Sequence, residues 1–570
     1  MKICLAIGIG RPQGLDPLRG AYAAAQGIGE WGRLNGYRTV TLTDETGPVT
    51  VADLCAALLP LLKDTSEELD RVVVSFAGHG VIRDVGEEYW LLSHWNDGTS
   101  EAIDVERFKR RLRTYQLKQL SIVGDACRSP IGRQELDLRG SPILPLGPLT
   151  SPLIQIDTIL AAQAGDPGYA VNNDCFLSAV VRHSLWGRFP EAVEDTPAGR
   201  VVKTDGLMHS VETNLVALAA NYNRNQYPEC VGAFRRPQDE VYTYLDKVVA
   251  PPLPPLPRPD AGSSLPSTKG LNRGSGAYYE GTSVPDHVAK FASRLRRDAK
   301  QGAWMGAAAV VVPDEPVTGI ALSSRASIPK RAGHGWTVSQ DLDGSPFLAE
   351  LASGLWVGAA IYRGRACVLS MGPHGTESLL YVSSTPEHDG LSRVQPLAIN
   401  AIAELSAGSL GPDQALDFAT MLRWGKHDDP TLGVLAAYMY ARASDLDSVR
   451  GLAWWYVHYR QPIPFDVAML AEVALEDTGT ELVAQIPPVQ GRKPRTVLEE
   501  RNASLLEDRP GCVGRVAGTF PWMRQGWRLL DSAEPLLRPM SEYASELRPA
   551  PFTTLTASAG QALAERIRKG

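Results

Sequence analysis

Two stretches decide how the chain is read: Val72-Val73-Val74-Ser75-Phe76-Ala77-Gly78-His79-Gly80 and Leu120-Ser121-Ile122-Val123-Gly124-Asp125-Ala126-Cys127-Arg128-Ser129. Each is a short apolar run that gives way to small residues and then to a chemically able side chain. Runs of this length, rich in β-branched residues and closed by glycine, predict buried strands. Working outward, residues 3–9, 38–42 and 158–162 predict three more strands. Between them, 21–35, 51–63 (Leu54, Leu58, Leu61, Leu62) and 104–118 (Phe108, Leu112, Tyr115) carry apolar residues at helical spacing. This βαβα order predicts an α/β fold, a mainly parallel sheet with helices on both faces. Ligands of such sheets bind beyond the carboxyl ends of the strands, where both His79 and Cys127 fall.

The chain has 570 residues, which predicts several domains. The stretch 250–260 is proline-dense and 261–276 is rich in Gly and Ser, so 250–276 reads as a linker, with an ordered loop packed on a domain as the alternative. It separates a first domain, 1–249, from a second half. There, 277–394 reads as β-rich and mixed, and 395–570 as mostly helical. Arg363-Gly364-Arg365 is placed to turn a hairpin between strands at 356–361 and 366–370.

Composition narrows the function. A net charge of −7 argues against a nucleic-acid binder. No run of about 18 apolar residues occurs, so no membrane span is expected. Seven cysteines (4, 55, 127, 175, 230, 367, 512) without a Cys-x-x-Cys predict neither a disulfide framework nor a metal site, and a reducing cytoplasm is the expected setting. No cofactor is called for.

A thiol is mostly protonated near neutral pH, and a neighbouring imidazole turns it into a nucleophile. His79 stands 48 positions before Cys127. The His-Gly after one apolar strand and the Asp-Ala-Cys-Arg after the next resemble the caspase-like cysteine peptidases, the superfamily of caspases, metacaspases and paracaspases, in which the histidine lies about 50 residues before the cysteine. The resemblance spans roughly residues 1–245 and takes in Pro17-Leu18-Arg19-Gly20-Ala21 and Ile159-Leu160-Ala161-Ala162. It implies a caspase-like fold and amide hydrolysis. Cys127 would be the nucleophile, His79 the acid and base, and the backbone N–H groups of Gly80 and Cys127 the oxyanion donors.

Asp125 stands where caspases have Gln, and Ser129 where they have Gly. In metacaspases and paracaspases an acid at the first position lines the pocket for the residue before the scissile bond and selects Arg or Lys. The resemblance implies the same of Asp125, alone or with Asp16 or Asp166. The loop from Arg128 to about residue 156 is long and rich in Pro and Gly. Its Arg133 and Arg139 are expected processing sites, cut by the protein itself or an upstream protease. Arg258, Lys269 and Arg273 offer a second route. Protein substrates, and a regulatory protein in place of an activating protease, are the implied partners. Calcium dependence is not legible. A bacterial defence role follows from resemblance alone.

Blander readings stand beside these. A cysteine at a strand end is often a small buried hydrophobe, the reading given to Cys175 and Cys230. His94 is a rival base without the strand-end setting. Lys109, Arg110, Arg111 and Arg113 read as a solvated helix face. The Pro-x-x-Pro pattern in 251–259 reads as a spacer, and Trp454-Trp455-Tyr456 as packing in a helical core. The competing functional class is a catalytically inactive caspase-like scaffold that serves the second half through interactions.

Overall fold

The computed structural model describes residues 1–64, 68–82, 88–97, 101–130, 138, 140–148, 155–162, 168–171, 174–222, 224, 226–231, 241–257, 308–312, 314–322, 330–332, 335–338, 340–383, 412–479, 481–532 and 535–569. Apart from the short stretch 408–412, the chain divides between Asn272 and Arg273 into two compact units.

The first unit is built on six strands: β1 (Lys2–Gly8), β2 (Arg38–Thr43), β3 (Arg71–Ala77), β4 (Gln119–Asp125), β5 (Gln155–Leu160) and β6 (Glu229–Val231). Their order across the sheet is β6-β5-β4-β3-β1-β2. The first five are parallel, and β6 closes one edge antiparallel to β5. Alternation of side chains along each strand feeds two cores. Ile3, Leu5 and Ile7 of β1, with Val72, Val74, Leu120 and Ile122, meet Leu54 and Leu58 of α2 (Val51–Leu62) and Phe108 and Leu112 of α3 (Val105–Arg113). On the other face Cys4, Ala6, Val73, Val123 and Ile159 meet three helices: α1 (Gly20–Leu34), α4 (Phe176–Leu185) and α5 (Thr204–Ala220). Thr50 and Asp53 form a reciprocal capping box that fixes where α2 begins. Gly8 has no room for a β-carbon, which would lie 2.3 Å from the carbonyl oxygen of Ala21, so this glycine lets α1 close on the sheet.

A second, four-stranded sheet was not anticipated: Ala102–Asp104, Glu88–Leu91, Gly80–Ile82 and Ser129–Pro130, in that order. It matters to function because the chains leaving His79 and Cys127 remain paired there, Val81 opposite Ser129 and Ile82 opposite Pro130.

Several expectations need correction. The proline-dense start of the expected linker is packed on the first unit: Ala250, Leu253 and Leu256 lie against the α4/α5 core, and the Pro254 carbonyl accepts from His183 Nε2 at 3.0 Å. The rest, 258–276, lies outside the described residues, as do Arg258, Lys269 and Arg273. The basic run on α3 is not a solvated face, because Arg110 and Arg111 are buried where the short helix presses on the small sheet and the core. Arg363-Gly364-Arg365 joins two different sheets instead of turning a hairpin: Trp356–Ala360 pairs with Pro346–Leu351, and Arg365–Gly372 pairs with Gly375–Ser383.

The second unit is β and α mixed. It has a five-stranded and a four-stranded sheet between residues 308 and 383, the latter completed by Thr554–Leu555. Helices Pro412–Gly425, Pro430–Arg442 and Leu446–His458 follow. The stretch read as helical also holds a four-stranded sheet, Ile463–Pro464, Cys512–Ala517, Leu482–Ile486 and Ala474–Asp477. Tyr456 is buried as expected, but Trp454 and Trp455 are half-exposed and face the Arg509 guanidinium at 5.3 and 5.2 Å. Among the described residues no helix is long and apolar enough to cross a membrane.

Candidate active site

Ala77 of β3 is in register with Asp125 of β4, and the Gly78 N–H donates to the Asp125 carbonyl at 3.1 Å. His79 and Cys127 therefore leave adjacent parallel strands side by side. His79 Nε2 donates to the main-chain carbonyl of Asp16 at 2.9 Å. A carbonyl can only accept, so the ring proton sits on Nε2 and Nδ1 keeps its lone pair in the neutral ring. Burial lowers the His79 pKa, the nearby Asp16 opposing it, so the ring is neutral near pH 7.

The Cys127 thiol donates to the Gly168 carbonyl at 3.5 Å. Burial pushes this thiol up, and the Asp125 carboxyl adds to the rise. Among the described residues the two side chains make no hydrogen bond to each other, so the resting pair is a neutral thiol and a neutral imidazole. The Cys127 N–H has no acceptor among the described residues. Gly80 is sterically required: a β-carbon there would lie 2.7 Å from the Cys127 carbonyl oxygen and 2.9 Å from Ala126 Cβ.

Asp125 is 5% exposed, and its carboxylate accepts the Ser178 N–H at the start of α4 at 2.6 Å. Burial pushes it up to about 7, with Ser178 lowering it and Asp174 raising it further. Its acidic neighbour is thus Asp174, on the short hairpin of Ala170–Val171 and Asp174–Cys175, paired with Arg182 at 3.0 Å. Asp16 serves His79 through its main chain, and Asp166 lies outside the described residues. So do Arg133 and Arg139. Farther along the loop that carries them, Ser141 bridges to Ile103, and Ile143 and Leu144 are buried in the core.

Arg128, next to the nucleophile candidate, is 3% exposed and holds three elements at once. Nε donates to Glu88 at 2.9 Å, and Nη1 donates to Glu229 at 2.7 Å and to the Ala162 carbonyl at 3.0 Å. Sequence reading missed this anchor. The one signal was an arginine directly after the cysteine of a buried strand end. Cys175 is buried at the start of α4, and Cys230 is half-buried against the core. His94 lies 3.1 Å from Asp97 and makes no hydrogen bond to His79 or Cys127 among the described residues.

No known family profile matches the chain, and no curated protein matches it. Among solved structures, protein GSU0716 from Geobacter sulfurreducens is 14% identical with a TM-score of 0.30; the match covers 43% of this chain and 99% of that one. A likeness this slight carries no argument about fold or function.

Proposed function

We propose that the first unit is a caspase-like cysteine endopeptidase that cleaves after Arg or Lys, with the second unit regulating it or recruiting protein substrates. The observation that carries this reading is the placement of His79 and Cys127 at the ends of adjacent parallel strands, with Nε2 of the histidine engaged by Asp16 and Nδ1 left to act. A bound peptide would draw the thiol away from Gly168. The S–H proton then passes to His79 Nδ1 as sulfur attacks the carbonyl carbon, and the oxyanion takes the N–H groups of Gly80 and Cys127. His79 returns the proton to the leaving amine, and water resolves the thioester. In this reading the buried Asp125 carboxyl, once ionised, would favour a basic side chain before the scissile bond.

A second reading, an inactive scaffold, draws on the neutral thiol tied to Gly168. The two are separated by incubating the full chain with a thiol-reactive peptide that ends in Arg. Modification of Cys127 that is lost in His79→Ala supports the peptidase. No modification under any condition supports the scaffold.

A further inference from the structure

The strand order sets the groups of the first unit in a row. Asp125 ends β4, Cys127 follows it and His79 follows β3, while the Asp174 hairpin packs on the start of α1, where a β-carbon at Gly20 would lie 2.9 Å from the Asp174 backbone. The loop after β1 and the turn after β2 continue the row past His79. There lies a cleft of about 420 Å³, lined by Arg11, Gln13, Glu45, Thr46, His94 and Asp97 among others. Its near wall is the loop whose Asp16 carbonyl holds His79, and the Gln13 N–H ties this wall to the Ser93 carbonyl at 2.9 Å.

Several charges in the cleft are already engaged. Asp44 accepts the N–H groups of Gly10 and Arg11 at 2.7 and 2.8 Å and the Ser93 hydroxyl at 3.4 Å. His94 and Asp97 face each other. The Arg11 guanidinium and the Glu45 carboxylate, both exposed, make no hydrogen bond or ion pair among the described residues, although the charge of each reaches the Tyr22 phenol.

We propose that this cleft receives the substrate chain on the leaving-group side of the scissile bond, with Arg11 meeting an acidic side chain and Glu45 meeting a basic one farther out. The inference rests on the peptidase reading. His79 must protonate the leaving amine, so that half of the substrate lies on the His79 side of Cys127. Neighbouring strands are about 4.8 Å apart, so β1 and β2 extend the row by roughly 10 Å, which an extended chain crosses in about three residues. Arg11, in the loop after the nearer strand, falls close to the second residue after the cut, and Glu45, after β2, close to the third or fourth.

The test uses the full-length protein and peptides identical up to the scissile Arg. One set carries Asp at the second and Lys at the fourth position after the cut; the other carries them exchanged. The expected kcat/KM is about three- to five-fold higher for the first set, the scale of exposed ion pairs. The difference should shrink in roughly 0.5 M salt and reverse with an Arg11→Glu/Glu45→Arg double variant. Equal rates for the two sets with the wild-type protein, or a preference that survives charge reversal, overturn the cleft's role. The thiol-reactive Arg peptide has nothing on the leaving side, so His79-dependent labelling of Cys127 should be the same in the double variant. If that labelling stands while the peptide preference is absent, the cleft alone fails. If Cys127 is never labelled and neither peptide is cut, the peptidase reading fails and the cleft's role with it.

Discussion

At the scale of single residues, Asp125 holds the most consequential ionisation. Its carboxyl is raised to about 7 by burial, against about 3.9 for an unfolded aspartate. Between those values the native state keeps a proton that the unfolded chain has lost, so stability falls as pH rises through that window and levels off above about 7. Asp125→Asn should remove this slope: the variant gains stability relative to wild type between about pH 4 and 7, read from urea midpoints. Activity runs the other way, because a basic substrate needs the ionised carboxylate. For Arg peptides, kcat/KM is expected to climb through about pH 7 in wild type and to lose that limb in the variant; a flat wild-type profile there would contradict the pocket assignment. His79 and Cys127 were legible in the sequence because reactive residue types stand directly after apolar runs. Asp174 was not, since nothing local distinguishes it from Asp166, and only folding sets it beside Asp125.

Between residues and the whole lie the elements that Arg128 binds together. Its guanidinium joins the small sheet through Glu88, the antiparallel edge strand β6 through Glu229 and the end of β5 through Ala162. Removing one partner of a buried ionic cluster leaves the others uncompensated, which costs about 3–5 kcal/mol. Arg128→Ala should lose stability of that order in chemical denaturation, and Arg128→Lys should recover little, because an ammonium cannot reach two carboxylates with fork geometry. The central strands were readable because each holds consecutive apolar residues, Val72–Val74 in β3, Ile122–Val123 in β4 and Ile159–Leu160 in β5. The small sheet was not: its strands are two to four residues long, too short to display a period. The failed hairpin at 363–365 has a related cause, since a glycine turn says that the chain reverses but not which sheet each arm joins. Glu88 and Glu229 stand 40 and 101 residues from Arg128, beyond any local pattern.

For the molecule as a whole, the division between units at Asn272 and Arg273 falls inside the expected linker, and composition misled only at the linker's start. Proline density signals stiffness, and stiffness serves a docked strap as well as a spacer. The strap at 250–257 lies over the α4/α5 core through Leu253 and Leu256, and the strand before it, Val241–Tyr244, is pinned by Arg71 to the Val241 carbonyl and by Trp31 to Thr243. A Leu253→Ala/Leu256→Ala variant should therefore lower the stability of the first unit by about 1–2 kcal/mol, seen as an earlier thermal transition. A free spacer would give no shift.

The bond between His79 and the Asp16 carbonyl has an evolutionary consequence. The partner that holds the imidazole is main chain, so a residue of any type at position 16 can keep the ring in place, and what a change there removes is the Asp16 charge that favours the protonated ring. The constraint passes instead to Pro17, whose ring restricts the preceding residue to extended conformations and so helps aim that carbonyl. A lineage could change Asp16 repeatedly and keep its imidazole in place, while losing the proline one position later would release it.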